Sequence, residues 1–387
     1  MEVKEGYKNT ELGIIPIDWE IKRLSEFAEI LSSKRIYESD YVPIGIPFYR
    51  GKEVSLLIEN KQLDDEYYIS EEKYNEIKRK YGVPQKGDVL ITAVGTLGNV
   101  YIVRDNKPFY FKDGNLIWLR NIKDILIDYL VVQLRNRKND IINNAIGSSQ
   151  RALTIVVLQQ TLLPLPPTKA EQTAIATALS DADALIRSLE KLIAKKRLIK
   201  QGAMQELLKP KEGWVVKKLG EVLEYEQPTK YLVTDTKYNE NNEIPVLTAG
   251  KSFILGYTNE REGLFDKLPV IIFDDFTTAS KYVDFPFKVK SSALKILKLK
   301  NRYNDLRFTF EAIQLIRFSL GDHKRYWISE FQHLDISMPD SKEQKRIGAI
   351  LNDMDAEIAA LESKLEKYKQ IKQGMMQNLL TGKIRLV

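Results

Sequence analysis

The chain has 387 residues, enough for two or three domains, with 43% apolar and 10% aromatic residues to fill their cores. It has no cysteine, which excludes disulfides, thiolate metal sites and a cysteine nucleophile, and its only histidines, His323 and His333, leave almost no material for zinc sites or His-based triads. Lysine plus arginine outnumber aspartate plus glutamate by 59 to 53, a net +6 that permits a polyanionic partner without requiring one. No apolar run approaches the ~18 residues of a membrane helix. The opening Met1-Glu2-Val3-Lys4-Glu5-Gly6 lacks the basic-then-apolar order of a secretory signal, so a soluble, cytoplasmic protein without a membrane partner is expected.

Residues 1–165 read as a head of short strands with one helix. Residues 87–92 and 99–103 are strands around the turn Gly95-Thr96-Leu97-Gly98, and 114–119 is another. A helix follows over 124–135 with Ile125, Tyr129 and Leu130 inward. Residues 166–210 form a first long helix, because 168–208 contain no proline and Ile175, Leu179, Ala182, Ile186, Leu189 and Ile193 follow the 4-3 steps of a heptad seam. Thr168 is its expected N-cap. The seam is expected to slip after Lys196 and to resume out of phase at Ile199, Ala203 and Leu207. The run Lys195-Lys196-Arg197 reads as a solvated or partner-facing helix surface.

Residues 211–337 repeat the head pattern, with strands at 268–273 and 293–299 and a helix over 305–318 carrying Leu306, Phe310, Ile313 and Ile316. Residues 338–387 give a second long helix and a tail, with the seam Ile347, Leu351, Met354, Ile358, Leu361, Leu365 and Tyr368 and with Ser341 as expected N-cap. About 40 residues per helix make a rod of roughly 60 Å, and the two rods are expected to pack antiparallel. Gly202 and Gly374 lie inside helical pattern, which costs ~1 kcal/mol each relative to Ala. They mark either a close backbone approach or fraying ends.

Shifted by 172 positions, residues 171–208 fall on 343–380 without a gap, and 19 of the 38 pairs are identical. Average composition gives roughly two or three, so the chain is an internal repeat. Trp19 to Glu26 parallels Trp214 to Glu221, and weaker echoes join Ile46-Pro47 to Ile244-Pro245 and Gly147-x-x-x-Arg151 to Gly321-x-x-x-Arg325. The heads agree only at their edges, and the long segments agree throughout.

Catalytic motifs fail in turn. Leu165-Pro166-Pro167-Thr168 lacks the Asn or Asp that an amino-methyltransferase places before Pro-Pro. Gly250-Lys251-Ser252 ends like a phosphate loop, but Pro245 stands where the first glycine belongs. Pro339-Asp340-x-x-Glu343-x-Lys345 mimics a nuclease pattern, yet it sits at a helix start, where acidic residues favour the dipole. Asp274-Asp275 reads as a charged strand-end loop before it reads as a metal site.

The order of parts resembles the specificity subunits of type I restriction-modification enzymes over essentially the full chain. The marks are Leu12-Gly13-x-x-Pro16-x-x-Trp19-x-x-x-x-Leu24, Pro164-Leu165-Pro166-Pro167-x-x-x-Glu171-Gln172-x-x-Ile175, Gln201-Gly202-x-Met204-Gln205-x-Leu207-Leu208 and Gly213-Trp214-x-x-x-x-Leu219-Gly220-Glu221. The second long helix reuses the signature but opens with Met338-Pro339-Asp340 in place of Pro-Pro. The resemblance implies two similar α+β target-recognition domains separated by two long antiparallel coiled-coil helices in a pseudo-two-fold internal repeat. Each head then reads half of a split double-stranded DNA site, and the helix pair sets the spacer. It implies no catalysis in this chain: two methyltransferase subunits bring S-adenosylmethionine, and restriction subunits bring ATP and Mg.

Residue types suited to phosphates and base edges single out Arg50, Lys52, Ser149, Gln150 and Arg151 in head one and Lys251, Thr277, Thr278, Lys281, Lys324 and Arg325 in head two. Helix packing or partner contact is assigned to Ile175, Leu179, Gly202, Ile347, Leu351 and Gly374. The alternatives are the recognition subunit of another multisubunit or fused restriction or methylation system, a self-sufficient nuclease or methyltransferase, and a coiled-coil scaffold with protein-binding heads.

Overall fold

A computed structural model of the chain describes residues 5–59, 61–63, 66–147, 151–249, 252–321 and 325–386. They form two compact units, Met1–Ser188 with Glu366–Val387, and Leu189–Leu365, so each unit holds one head and part of both long helices.

In the first unit an antiparallel sheet runs in the order Glu29–Leu31, Leu116–Arg120, Val89–Thr92, Val100–Ile102. Its two central strands are covered on both faces, which is why they read as unbroken apolar runs. Their side chains alternate as a pleat demands. Val89, Ile91, Ile117 and Leu119 pack on Tyr129 and Leu130 of the helix Ile127–Asn136. Leu90, Leu116 and Trp118 face Val54, Phe109 and Phe111 on the other side. Gly95 and Gly98, at φ +77° and +72°, turn the hairpin between Val89–Thr92 and Val100–Ile102, where no other residue adopts the backbone as cheaply.

The second unit repeats the arrangement. Its sheet runs Leu223–Glu226, Leu294–Leu299, Val270–Asp274, Ser280–Val283, antiparallel throughout. Ile271, Phe273 and Leu297 face Phe308 and Ile313 of the helix Leu306–Gln314, and Val270, Ile272 and Ile296 face Phe265 and Phe287. That helix stops short of the expected Phe318, whose ring leaves helical register to pack on Tyr326 and Phe331. The echo Ile46-Pro47 and Ile244-Pro245 opens equivalent strands, Ile46–Tyr49 and Ile244–Leu247. Each pairs in parallel with a two-residue strand, Tyr110–Phe111 and Lys288–Val289. In both heads the strand that follows or includes the opening Trp motif pairs with the last, Glu20–Arg23 with Leu162–Leu165 and Val215–Lys218 with Asp335–Met338, and in head one an antiparallel pair Tyr7–Thr10 and Gly13–Pro16 comes before it.

The small sheet of head two is tied by Glu260. Its carboxylate accepts the backbone N–H groups of Thr234 and Asp235 and meets the Lys288 ammonium at 2.8 Å. The Lys288 bond, followed by the backbone bonds, holds this carboxyl down at about 2 against an ordinary 4.5.

The long helices are Lys169–Leu207 and Ser341–Leu379, 39 residues each. Within each unit their segments pack antiparallel. Asp183 meets Lys372 at 2.5 Å in the first unit, and Asp355 meets Lys200 at 2.7 Å in the second. These are one contact made twice, since each partner maps on its counterpart by the 172-residue shift. The expected seam residues of both helices are all buried or half-buried, Ile175, Leu179, Ile347 and Leu351 fully so. The expected slip is absent. The first seam keeps its 4-3 steps through Lys196, Lys200, Ala203 and Leu207, and Ile199 is 46% exposed. Two lysines obscured it: their stems lie along the seam while their ammonium groups reach Glu357 and Asp355. Arg197 likewise turns to Glu362 at 2.6 Å.

The glycine expectation also needs correcting. A Cβ on Gly202 or Gly374 meets no atom within 4 Å, and both residues lie inside their helices. Neither a close approach within the chain nor fraying accounts for them. The helix glycine that does mark a close approach is Gly348, where a Cβ falls 2.6 Å from Asp305 Oδ1. Thr168 caps the first helix as expected, accepting the Glu171 N–H, but the second helix is capped by Asp340, which accepts the Glu343 N–H, and not by Ser341.

The repeated glutamine of the Glu-Gln motif fastens each helix to its head. Gln172 Nε2 donates to the Pro166 carbonyl and its Oε1 accepts the Leu126 N–H at 2.8 Å. Gln344 does the same with Pro339 and with the Asp305 N–H at 2.9 Å. Each is almost wholly buried and joins the end of the last strand, the start of the long helix and the start of the head's own helix.

Replacing Gln172 or Gln344 by Leu strands a buried N–H and a carbonyl, and is expected to destabilise its unit by about 2 kcal/mol in urea unfolding. Glu260 gives a pH signature. Its folded pKa lies below its unfolded value, so its stabilisation is complete above about pH 4.5 and is lost as pH falls toward 2. Glu260→Gln is expected to flatten the acid limb of the unfolding free energy between pH 5 and pH 2.

Candidate nucleic-acid interface

The described candidate residues of each head gather at one end of its central sheet, just after the strands Val89–Thr92 and Val270–Asp274. In head one, Ala93 donates its N–H to Asn115 and accepts the Leu153 N–H, at 2.8 and 2.9 Å. These bonds bring the 93–98 turn beside the segment carrying Arg151. A Cβ on Gly51 lies 3.6 Å from the Val94 carbonyl and 3.9 Å from that of Asn115, so the helix Gly51–Ile58 starts against the same turn and presents exposed Lys52 there. In head two, Asp275 donates its N–H to Ala293 and accepts the Tyr326 N–H, at 3.1 and 2.9 Å. Thr277, Thr278, Lys281 and Arg325 are thereby drawn together. The matched bonds of Leu153 and Tyr326 set Arg325 opposite Ala152, one position away from the Arg151 that spacing suggested.

Not every candidate is a free contact. The Arg50 guanidinium grips Glu53 with both ends, at 3.1 and 2.6 Å, and lies 4.3 Å over the Tyr67 ring. Burial alone pushes the Glu53 carboxyl up, but the hydrogen bonds from Arg50 and the backbone hold it below the ordinary range. Arg50 is therefore a clamp at the start of the Gly51–Ile58 helix and not an unengaged phosphate ligand. The Thr277 hydroxyl donates to Asp274 Oδ2 at 2.5 Å and the Thr278 hydroxyl to the Thr277 carbonyl. Lys52, Arg151, Lys281 and Arg325 are exposed cations. Ser149, Gln150, Lys251 and Lys324 lie outside the described residues.

Asp274 and Asp275 stand at the strand end as expected, but not as exposed charges. Both are buried, and Asp274 Oδ1 accepts the Phe276 N–H to hold the turn. Thr278 takes the left-handed conformation, φ +59°, to complete it. Among the described residues no group of three or more His, Cys, Asp or Glu gathers as a metal site. The nuclease-like carboxylates are engaged elsewhere, Asp340 in its cap and Glu343 in a two-bond pair with Arg346.

Two features of the site carry no polar signal in local sequence. Val94 and Phe276, 38% and 41% exposed, follow the pivotal Ala93 and Asp275 and give each turn an apolar tip of the kind that meets a thymine methyl. A groove of about 380 Å³ in the first unit is lined by Arg104, Arg135 and Arg187, with Asp128 and Asp183 beside them. These arginines stand far apart in sequence, so no local pattern signals them.

Thr278→Val keeps the β-branch at this left-handed position and removes the hydroxyl that donates to the Thr277 carbonyl, and it is expected to cost about 1 kcal/mol more in urea unfolding than Thr278→Gly, which suits that backbone.

The sequence pattern of a known family, the type I restriction modification DNA specificity domain, matches residues 16–196 and again 211–373. The chain is 27% identical over 422 aligned positions to the putative type I restriction enzyme MjaX specificity subunit of Methanocaldococcus jannaschii, covering 99% of this chain and 97% of that one. It is 46% identical over 164 positions to the EcoR124I/EcoR124II specificity subunit of Escherichia coli, covering 39% of this chain and 41% of that one. Its fold is that of the type I restriction-modification S subunit from M. genitalium, with a TM-score of 0.68, 15% identity and 98% of each chain covered. Matched in order over both of its halves, the chain belongs to the family of type I restriction-modification specificity subunits.

Proposed function

We propose that each head reads one half of a bipartite double-stranded DNA site, and that the paired long helices set the spacer and dock two methyltransferase subunits. The reading rests on one observation: both heads bring corresponding loops to the same end of the same sheet, yet arm them differently. Head one offers Val94, Lys52 and Arg151, and head two offers Phe276, Thr278, Lys281 and Arg325. A shared scaffold with unlike loops suits two different half-sites. Bond-making chemistry then belongs to the partners, with S-adenosylmethionine on the methyltransferase subunits and ATP and Mg on the restriction subunits. No helix among the described residues is long and apolar enough to cross a membrane.

Docking on the long helices is supported by the duplicated Gln-Gly-x-Met-Gln motif. Its glycines face open space, and exposed apolar residues accompany each, Leu198 and Ile199 in the second unit and Ile371 in the first. Among the described residues nothing lies within 4 Å of a Cβ at either glycine, so a close-packed partner is the physical reason to keep glycine in a helix.

In a complex reconstituted with the methyltransferase subunit, binding is expected to require both half-sites at a fixed spacing. Arg325→Ala should weaken the head-two half about tenfold or more, with no change in preference at the other half. Binding of every duplex alike, with one common salt slope, overturns the reading. Gly202→Leu is expected to leave the isolated chain folded and to weaken assembly with the methyltransferase subunit.

A further inference from the structure

We infer that Asp275, together with the lysine buried against it, is the positioning residue that fixes how head two reads its half-site. The inference rests on the proposed reading of the heads. Asp275 sits where the strand Val270–Asp274 becomes the turn, and it is fully buried. Besides its two backbone bonds to Ala293 and Tyr326, its Oδ1 accepts the Trp327 N–H at 2.8 Å, and its Oδ2 faces Lys295 Nζ at 3.3 Å. One residue thus locks three segments: the turn bearing Phe276, Thr277 and Thr278, the start of the strand Leu294–Leu299, and the segment opening with Arg325.

Head one shows which of these bonds the scaffold needs. The strand pairings Leu116 with Thr92 and Leu294 with Asp274 make Ala93 the counterpart of Asp275 and Ile117 the counterpart of Lys295. Ala93 keeps both backbone bonds, to Asn115 and from Leu153, and contributes no side-chain bond. An apolar pair therefore supports the same fold at the same place. The charged pair of head two is an addition to it, and an incomplete one: among the described residues neither Asp275 Oδ2 nor Lys295 Nζ has a hydrogen-bond partner. Such a pair adds little stability over apolar residues of similar volume. What it adds is a side-chain bond from the reading turn to Trp327, two residues after Arg325. With the turn and Arg325 held in one geometry, a base edge meets both at once, and bidentate contacts demand that fixity.

The test uses the full chain assembled with the methyltransferase subunit and a duplex library randomised in both half-sites. D275L/K295M replaces the pair by apolar residues of similar size, and D275A/K295I copies head one. D275N/K295M keeps an Oδ1 acceptor for Trp327 without the charges. Both apolar variants are expected to fold and to lose about tenfold or more of the base preference at one or more positions of the head-two half. The other half, and the salt slope of non-specific binding, should stay unchanged. D275N/K295M should retain the preference. The inference is overturned if a folded apolar variant keeps the wild-type preference, if it weakens all sequences equally, if D275N/K295M loses preference as the apolar variants do, or if neither apolar variant folds. A wild-type complex with no bipartite preference instead overturns the underlying reading, before any variant is made.

Discussion

The antiparallel contact of the two long helices is the constraint on which the rest of each unit depends. A 39-residue helix with a narrow apolar stripe owes its order to what covers that stripe. In each unit the cover is the other long helix together with the head itself, since Ile175 and Leu179 share a core with Tyr129 and Leu379, as Ile347 and Leu351 do with Phe308 and Leu208. The ion pair Asp183 with Lys372, repeated as Asp355 with Lys200, fixes the register of that contact. A slip of one heptad leaves both lysines opposite the wrong neighbours. In the second unit the pair is drawn into a larger cluster, where Arg307 bonds both Asp355 and the buried Glu311. There the register of the helices and the seating of the head's own helix are one electrostatic arrangement.

From that base the position of the loops at the end of each central sheet follows in short steps. Gln172 and Gln344 join each helix start to the last strand of its head and to the start of the head's helix. The last strand pairs with Glu20–Arg23 in head one and with Val215–Lys218 in head two, and the head's helix covers one face of the central sheet. The turns after Val89–Thr92 and Val270–Asp274 are thus fixed with respect to the helix by buried hydrogen bonds and packed side chains. In the first unit the tail joins this set. Arg385 bonds Glu171 of the long helix and Asp18 just ahead of the strand Glu20–Arg23, and its guanidinium lies 5.9 Å over the ring of Trp19.

The parts legible in the sequence are those with a period or a repeat. The heptad steps, the 172-residue shift, the Gly95 to Gly98 hairpin and the Thr168 cap are all written in local spacing. What was hidden depends on partners distant in sequence. Lys196 and Lys200 read as a break in the seam because an apolar template has no place for a lysine whose head reaches a facing carboxylate. Gly348 and Gly202 look alike as letters, and only the cap of a neighbouring helix, Asp305, distinguishes the crowded one. Arg50 and Glu53 stand one helical turn apart, yet the burial of Glu53 that turns Arg50 from ligand to clamp comes from the fold. Asp274-Asp275 read as a charged strand-end loop because two adjacent acids at a strand end usually form one. One caps its own turn and the other finds a lysine on the adjacent strand.

The same logic explains why the heads diverge inside and agree at their edges. The edges carry the pairing of Glu20–Arg23 and Val215–Lys218 with the last strands, the glutamine staple and the helix start, where a change disturbs two elements at once. The interior pivot is different: Ala93 with Ile117 and Asp275 with Lys295 occupy one backbone position and satisfy the same main-chain bonds. A site whose backbone needs are met independently of its side chain is free to change without loss of the fold. Placed at the root of a loop, such a change alters what the loop presents and leaves the scaffold as it was. A repeat built this way holds two loop geometries on one frame, and unlike loops on one frame are the physical requirement for reading two unlike sequences.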